Sequence, residues 1–288
     1  ESSVDSFRKT LENIHDYIER TLEQLRNGDI DEMQGLQIEN VSDENFDWES
    51  EWGDEESLIG KKVKVHLADV DPISWSEDLE EDLMLFRQIL QRLNKITPEK
   101  DNKLQSLIQL IEEKQQNPIN ANNKKVIIFT AFSDTADYLY DNLSKHFKEK
   151  HGLNSTLITG SRSISTSKNL PKDLNGLLTC FSPVSKNKAQ LYPEITEDLD
   201  ILIATDCISE GQNLQDCDFL VNYDIHWNPV RIIQRFGRID RIGSINDSIT
   251  LVNFWPDITL DQYINLKQRV EDRMFIAVLA GPAQDNLL

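Results

Sequence analysis

Four arginines crowd one short stretch of the sequence. Arg231, Arg235, Arg238 and Arg241 stand between Pro229 and Ser244, with Asp240 the one acid among them. Arg238 and Arg241 are three residues apart, so on a helix or a tight turn they project to one side. Paired guanidinium groups suit an oxyanion, and phosphoryl transfer needs fixed, planar positive donors where charge builds on the γ-phosphate. A solvated helix making surface ion pairs would carry the same spacing.

The elements that would position these arginines are legible upstream. Asp200 to Leu214 reads as a buried strand, Ile201-Leu202-Ile203-Ala204, running into a polar turn with Thr205, Asp206, Gly211 and Asn213. Small polar groups at the carboxyl end of such a strand lie on the usual ligand edge of a parallel sheet. Lys125 to Phe132 is a second buried strand, ending in Thr130-Ala131-Phe132-Ser133. Further apolar runs at 155–159, 218–222 and 248–254 alternate with helical segments at about 134–148, 230–239 and 260–278. Strands apolar throughout and separated by helices predict a parallel sheet covered on both faces. Residues 160–199 are rich in Ser, Asn, Lys and Pro, and are too long for a bare loop; they read as an insertion with structure of its own. Asp206, Asp224 and Asp240 read as partners of nearby arginines or backbone amides rather than as catalytic acids.

The first hundred residues have a different texture. Val4, Phe7, Leu11, Ile14, Ile18, Leu22 and Leu25 give one apolar helical face, and Gly28 would end that helix. Two more helices read out at 79–93 and 103–114, separated by Pro98. Between the first and second lies an acidic segment, 29–58, with twelve acids and no Lys or Arg. It is either a solvated linker or a loop pinned by Phe46, Trp48 and Trp52.

Composition removes several classes. At 39% hydrophobic and 28% charged the chain can bury a core, and it has no run of about 18 apolar residues to span a bilayer. It opens Glu1-Ser2-Ser3 with no leader, which reads as an excised piece rather than a secretory precursor. Cys180, Cys207 and Cys217 have neither metal-ligand nor disulfide spacing, so no metal site is expected and a reducing cytoplasm fits. The net charge of −20 argues against nucleic acid at first sight, but much of it lies in 29–58 while the arginine run is basic.

Taken together and in order, these segments resemble a known family. Gln234 to Arg241, with a Gln-x-x-x-Arg-x-x-Arg core, is similar to motif VI of Snf-type superfamily-two helicases and translocases; Ala204 to Leu214 is similar to motif V, and Val126 to Ser133 to motif IV. Trp227-Asn228-Pro229 before motif VI resembles the Snf type rather than most other helicases, and Ser209-Glu210-Gly211 with the Ile239-Asp240 pair resembles its bacterial HepA-like branch. The resemblance implies a RecA-like, three-layer α/β lobe with a parallel sheet at 99–288, preceded by a helical, partly acidic extension at 1–98. It also implies a bacterial cytoplasmic ATPase motor of which this is the second, C-terminal lobe. Arg238 and Arg241 match arginine fingers that reach ATP on a first lobe, and Gln234 matches a residue that orders that interface. Gly211 and Asn213 fall where motif V approaches the nucleotide. Thr130, Gly160, Thr205 and Trp227 match contacts to nucleic acid, with double-stranded DNA favoured.

The sequence contains no Gly-x-x-x-x-Gly-Lys-Ser/Thr, and no Asp-Glu-x-His after a buried strand. ATP and Mg²⁺ are therefore expected to be bound mainly by a first lobe outside this sequence, and the chain alone should not hydrolyse ATP. RNA in place of DNA, an RNA-polymerase-associated translocase, and a non-catalytic protein-binding module on the same fold are the rival readings.

Overall fold

The computed structural model describes residues 3–27, 71–208, 212–225, 229–241 and 243–255. The acidic segment 29–58, Gly211, Trp227 and the helix expected at 260–278 lie outside the described residues. Two compact units divide the chain between Gln105 and Ser106.

In the first unit, α1 (Val4–Asn27) and α2 (Pro72–Leu93) share a small core of Ile18, Leu22 and Leu83, flanked by Ile14, Leu79 and Phe86. α2 begins seven residues before the expected Leu79 because Asp71 caps it, its carboxylate accepting from the Ile73 amide at 3.1 Å. The exposed pairs Arg26–Glu80 (2.7 Å) and Arg87–Glu19 (2.6 Å) also join the two helices. Exposed pairs of this kind contribute little, so the apolar stripe carries the pairing. α3 (Asn102–Gln116) runs across the boundary between the units, with Asp101 accepting from the amides of Lys103 and Leu104 at its start.

The second unit is built on six strands: β1 (Val126–Phe129), β2 (Ser155–Ile158), β3 (Ser163–Ser165), β4 (Ile201–Ala204), β5 (Phe219–Asn222) and β6 (Thr250–Asn253). Their spatial order is β3-β2-β4-β1-β5-β6. All pairs are parallel except β2 with β3, so the expected parallel sheet gains one antiparallel edge strand from the insertion. The four inner strands are buried at every position, which is why β1 and β4 read as unbroken apolar runs, while β3 and β6 at the edges are half-buried.

One sheet face presents Ile127, Phe129, Leu202, Ala204, Ile158 and Leu220 to α5 (Leu174–Phe181), which adds Leu177, Leu178 and Phe181. α5 starts at Asp173, whose carboxylate takes the Gly176 amide at 2.8 Å. Gly176 has to be glycine, because a Cβ there would stand 2.4 Å from Cβ of Pro171. α4 (Ser133–His151) packs along β2 and β4 with Leu139, Leu143 and Phe147 buried, and ends at Gly152 with a left-handed φ of 70°. α3 lies beside α4: His146 and Lys150 bond the Glu112 carboxylate at 2.8 and 2.5 Å, and these bonds hold its pKa below the ordinary range. The insertion 160–199 supplies β3, α5 and the short α6 (Lys188–Leu191). This is the α/β lobe with a mainly parallel sheet that the sequence predicts.

At the amino end of the sheet, Lys114 of α3 pairs with Asp218 at 2.7 Å, with side chains 1% and 0% exposed. Asn120 also donates to Asp218 at 2.8 Å, and the Lys114 ammonium donates to the carbonyl of Asn123 at 2.9 Å. Nearby Cys217 is so thoroughly buried that its thiol pKa is pushed up to about 12, which makes it an inert core residue. Removing one member of a buried pair strands the other's charge. Lys114→Ala or Asp218→Ala should therefore destabilise this unit by about 3–5 kcal/mol, and a Lys114→Met, Asp218→Leu double variant should recover most of the loss. Urea unfolding midpoints at constant slope measure this; a single variant within about 1 kcal/mol of wild type would show that the pair is not an anchor.

Candidate functional site

Ile158, Ala204, Phe129 and Asn222 stand in register across β2, β4, β1 and β5. The ladder continues one residue further: the amides of Thr205, Thr130 and Tyr223 donate to the carbonyls of Ile158, Ala204 and Phe129 at 3.1, 3.1 and 2.8 Å. Gly160, Thr205, Thr130 and Asp224 therefore all emerge at one carboxyl edge, which is where a parallel sheet presents its ligand groups.

The centre of that edge is Arg235. It lies on α7 (Pro229–Phe236), on the same buried side as Ile232, and is 1% exposed. Its Nε and Nη2 donate to both carboxylate oxygens of Asp206 at 2.7 and 2.6 Å, and its Nη1 donates to Asn222 Oδ1 at 3.0 Å and to the Asp224 carbonyl at 3.3 Å. The guanidinium carbon lies 5.2 Å from the centre of the Phe129 ring, a cation–π placement. Around it, Asn222 donates to Asn253 Oδ1 at 2.8 Å, tying in β6. The Asp224 carboxylate accepts from the Thr130 hydroxyl and, at 3.1 Å, from the Ala131 amide. Asp206 and Asp224 thus hold an arginine and a backbone amide, as their setting in the sequence suggested.

α7 stops at Phe236 and the chain turns, so Arg238 lies in a turn rather than on the expected continuous helix to 239. It is 5% exposed and stands 6.0 Å from the Phe129 ring centre. Its amide donates to the Arg235 carbonyl at 3.2 Å and its carbonyl accepts from Leu214 at 3.0 Å, which joins the turn to the segment after β4. Arg241 is exposed, with its Nε donating to the Gly237 carbonyl at 3.1 Å. Gln234 is exposed on α7.

The other expected site residues have varied settings. Thr130 and Thr205 are buried, with the Thr130 hydroxyl engaged by Asp224. Gly160 is exposed in the bend after β2. Asn213 uses its Oδ1 to accept from the Gln215 amide at 3.2 Å, which shapes the local turn. Beside Thr205, burial raises the Cys207 thiol pKa above its ordinary value, so this cysteine is not a ready nucleophile.

Arg235 is the residue whose role the motif pattern alone did not isolate. A signal was present: Ile232, Arg235, Phe236 and Ile239 fall at helical spacing, so an arginine occupies a position on the apolar face. An arginine there needs a carboxylate partner, and the nearest strand end supplies Asp206.

The chain is similar to several known proteins. Residues 102–243 match the helicase conserved C-terminal domain. The uncharacterized ATP-dependent helicase YqhH of Bacillus subtilis is 30% identical over 199 residues, covering 69% of this chain and 29% of that protein. The RNA polymerase-associated protein RapA of Vibrio atlanticus is 27% identical over 148 residues, 51% of this chain and 12% of that one. A probable ATP-dependent RNA helicase of Dictyostelium discoideum, ddx51, is 28% identical over 173 residues, 59% and 27% respectively. The matched region thus spans less than a third of each of these relatives. The C-terminal part of the Fun30 ATPase domain superposes with a TM-score of 0.38 at 16% identity, over 69% of this chain and 56% of that one, too distant a likeness to carry weight.

Arg235→Lys tests the centre of the edge. A point charge cannot hold Asp206 through two parallel bonds and reach Asn222 as well. The variant should lose about 1.5–3 kcal/mol, the worth of a charged hydrogen bond, and Asp206→Asn should lose a similar amount. Combining the two should cost clearly less than their sum; a fully additive double variant would mean that the pair is not coupled.

Proposed function

We propose that this chain, whose residues 102–243 match the helicase conserved C-terminal domain, is the second motor lobe of an ATP-dependent translocase on nucleic acid. The observation that carries this reading is the carboxyl edge, where an arginine run with Arg235 and Arg238 buried and Arg241 exposed stands beside the ends of β4 and β1. ATP would lie between this lobe and a first lobe of the same polypeptide that supplies the phosphate loop and the Mg²⁺ carboxylate. The groups in this chain that suit a nucleotide's phosphates are guanidinium groups, with Arg241 already exposed and Arg238 set behind it on Phe129. Gln234 would order the interface, and Gly211 and Asn213 would approach the nucleotide. Thr130, Gly160, Thr205 and Trp227 would follow one strand of duplex DNA through its phosphates, with little regard to base identity. Opening and closing of the cleft would then step the lobes along the strand. Several relatives are named as RNA helicases, so RNA is the reading to test against duplex DNA.

The test compares the 288-residue chain with the full-length, two-lobed protein. The chain alone should show no turnover of ATP above buffer, with or without nucleic acid. In the full-length protein Arg241→Ala should retain ATP binding and lose about 10³–10⁵ in rate, the range for fingers in related motors. Duplex DNA should stimulate the wild type more than single strands or RNA do. A loss of less than about tenfold in the variant would remove the finger assignment, and preferential stimulation by RNA would replace the substrate.

A further inference from the structure

The insertion carries two lysines in one turn with different surroundings. Lys188 is 6% exposed, and its ammonium bonds the Asp198 carboxylate at 2.5 Å and the Glu197 carbonyl at 2.6 Å. Its charge is offset. Lys186 is half-buried and bonds Gln212 Oε1 at 2.5 Å, a neutral amide, which satisfies one of three ammonium donors and leaves the charge standing.

The turn that presents Lys186 is held firmly. Asp216, 3% exposed, accepts from the amides of Val184 and Ser185 at 2.6 and 3.0 Å. The Lys186 amide donates to the Ser182 carbonyl at 3.1 Å, and the Lys188 amide to the Pro183 carbonyl at 2.9 Å. Gln212 and Asp216 both belong to the segment that follows β4, so the lysine turn and that segment form one assembly. The same segment also holds the arginine turn, for the Leu214 amide donates to the Arg238 carbonyl at 3.0 Å and the Gln215 side-chain amide to the Gly243 carbonyl at 3.2 Å, so Lys186 and Arg241 sit on two turns tied to residues 212–215. Burial, and then the charge of Arg241, lower the Lys186 pKa. Holding like charges together costs free energy that a bound anion would recover.

We propose that Lys186 and Arg241 together bind an oxyanion, the terminal phosphates of the nucleotide shared between the lobes, with Lys186 a functional residue outside the arginine run. This rests on the reading of the chain as a second motor lobe. Gln212 aims the ammonium, the Asp216 clamp fixes the turn, and Arg241 contributes the planar partner. Arginine at 186 keeps the charge and the reach, whereas methionine keeps the length and loses the charge.

The experiment measures kcat and KM for ATP in the full-length, two-lobed protein for Lys186→Met, Lys186→Arg, Gln212→Ala and Arg241→Ala, with circular dichroism to confirm folding. Lys186→Gln serves as a second neutral variant should Lys186→Met fail to fold. The neutral variant should lose at least tenfold in kcat, since removing a single donor to developing charge costs on the order of 10²–10³ in preorganised sites. Lys186→Arg should stay within about threefold of wild type, and Gln212→Ala should lose less than the neutral variant. If Arg241→Ala is crippled while the neutral variant stays within about twofold, the anion site is overturned and the motor reading stands. If Lys186→Arg and Gln212→Ala fall as far as the neutral variant, the lysine only braces Gln212, and the anion site is again overturned. If Arg241→Ala is itself unaffected, the motor reading falls and takes this site with it.

Discussion

The buried pairing of Arg235 with Asp206 is the constraint on which the rest of the carboxyl edge depends. A guanidinium that is 1% exposed cannot be left unpaired, and its donors are met by Asp206, Asn222 and the Asp224 carbonyl, with Phe129 beneath it. These partners come from the ends of β1, β5 and β4 and from the residues that follow them. One side chain of α7 therefore fixes the helix against three strands at once. The network reaches further through Asn253 and Thr130, so β6 and the turn into α4 are set by the same charge. Bonds of this kind in a low-dielectric setting reinforce one another when complete and are costly when any member is missing. The rigidity of the edge follows from that completeness.

A second buried ion pair, Lys114 with Asp218, stands at the other end of the same strand. β5 thus runs from one charged anchor to another, with Phe219, Leu220 and Val221 buried between them. The arrangement follows from the sheet being covered on both faces. Its middle favours apolar side chains, so charged groups collect where strands end and backbone groups also need partners. At the amino end the pair joins α3 to the sheet through Lys114, and at the carboxyl end the network joins α7. Helices on this lobe are thus held by apolar packing along their length and by charge at the strand ends.

Much of this was legible in the sequence, and the misses have physical causes. β1, β4 and β5 were readable because they are buried throughout, so their apolar runs have no polar interruption. α2 was read short at its start because Asp71, Ile73 and Trp75 form no long apolar stripe; the cap rather than the pattern sets that end. The insertion could be seen only as a stretch too long for a loop. Its strand β3 pairs through backbone bonds and has no apolar run to betray it. Of the candidate site, the motif spacing marked Arg238 and Arg241 but said nothing of their burial. Arg235 was hidden because its role depends on Asp206, Asn222 and Phe129, which are brought together by strand register rather than by sequence distance. Lys186 was hidden for the same reason, since Gln212 lies far along the chain.

The three arginines at 235, 238 and 241 form a graded series whose cause is the way α7 ends. The helix stays against the sheet through Arg235, so that side chain is locked among strand ends. Past Phe236 the chain turns, and Arg238 keeps its amide on the Arg235 carbonyl while its guanidinium lies at the margin of the Phe129 ring. By Arg241 the chain has left the sheet, and the side chain is exposed with a backbone carbonyl for a partner. Each step of three residues moves the charge from the interior toward solvent. Under the proposed function Arg241 would meet a ligand on another lobe, and such a group has to be exposed yet needs a fixed base so that little entropy is lost when it engages. Arg235 supplies that base through its paired charge and Arg238 transmits it through the backbone. The exposed arginine is thereby held on a short arm from a rigid edge.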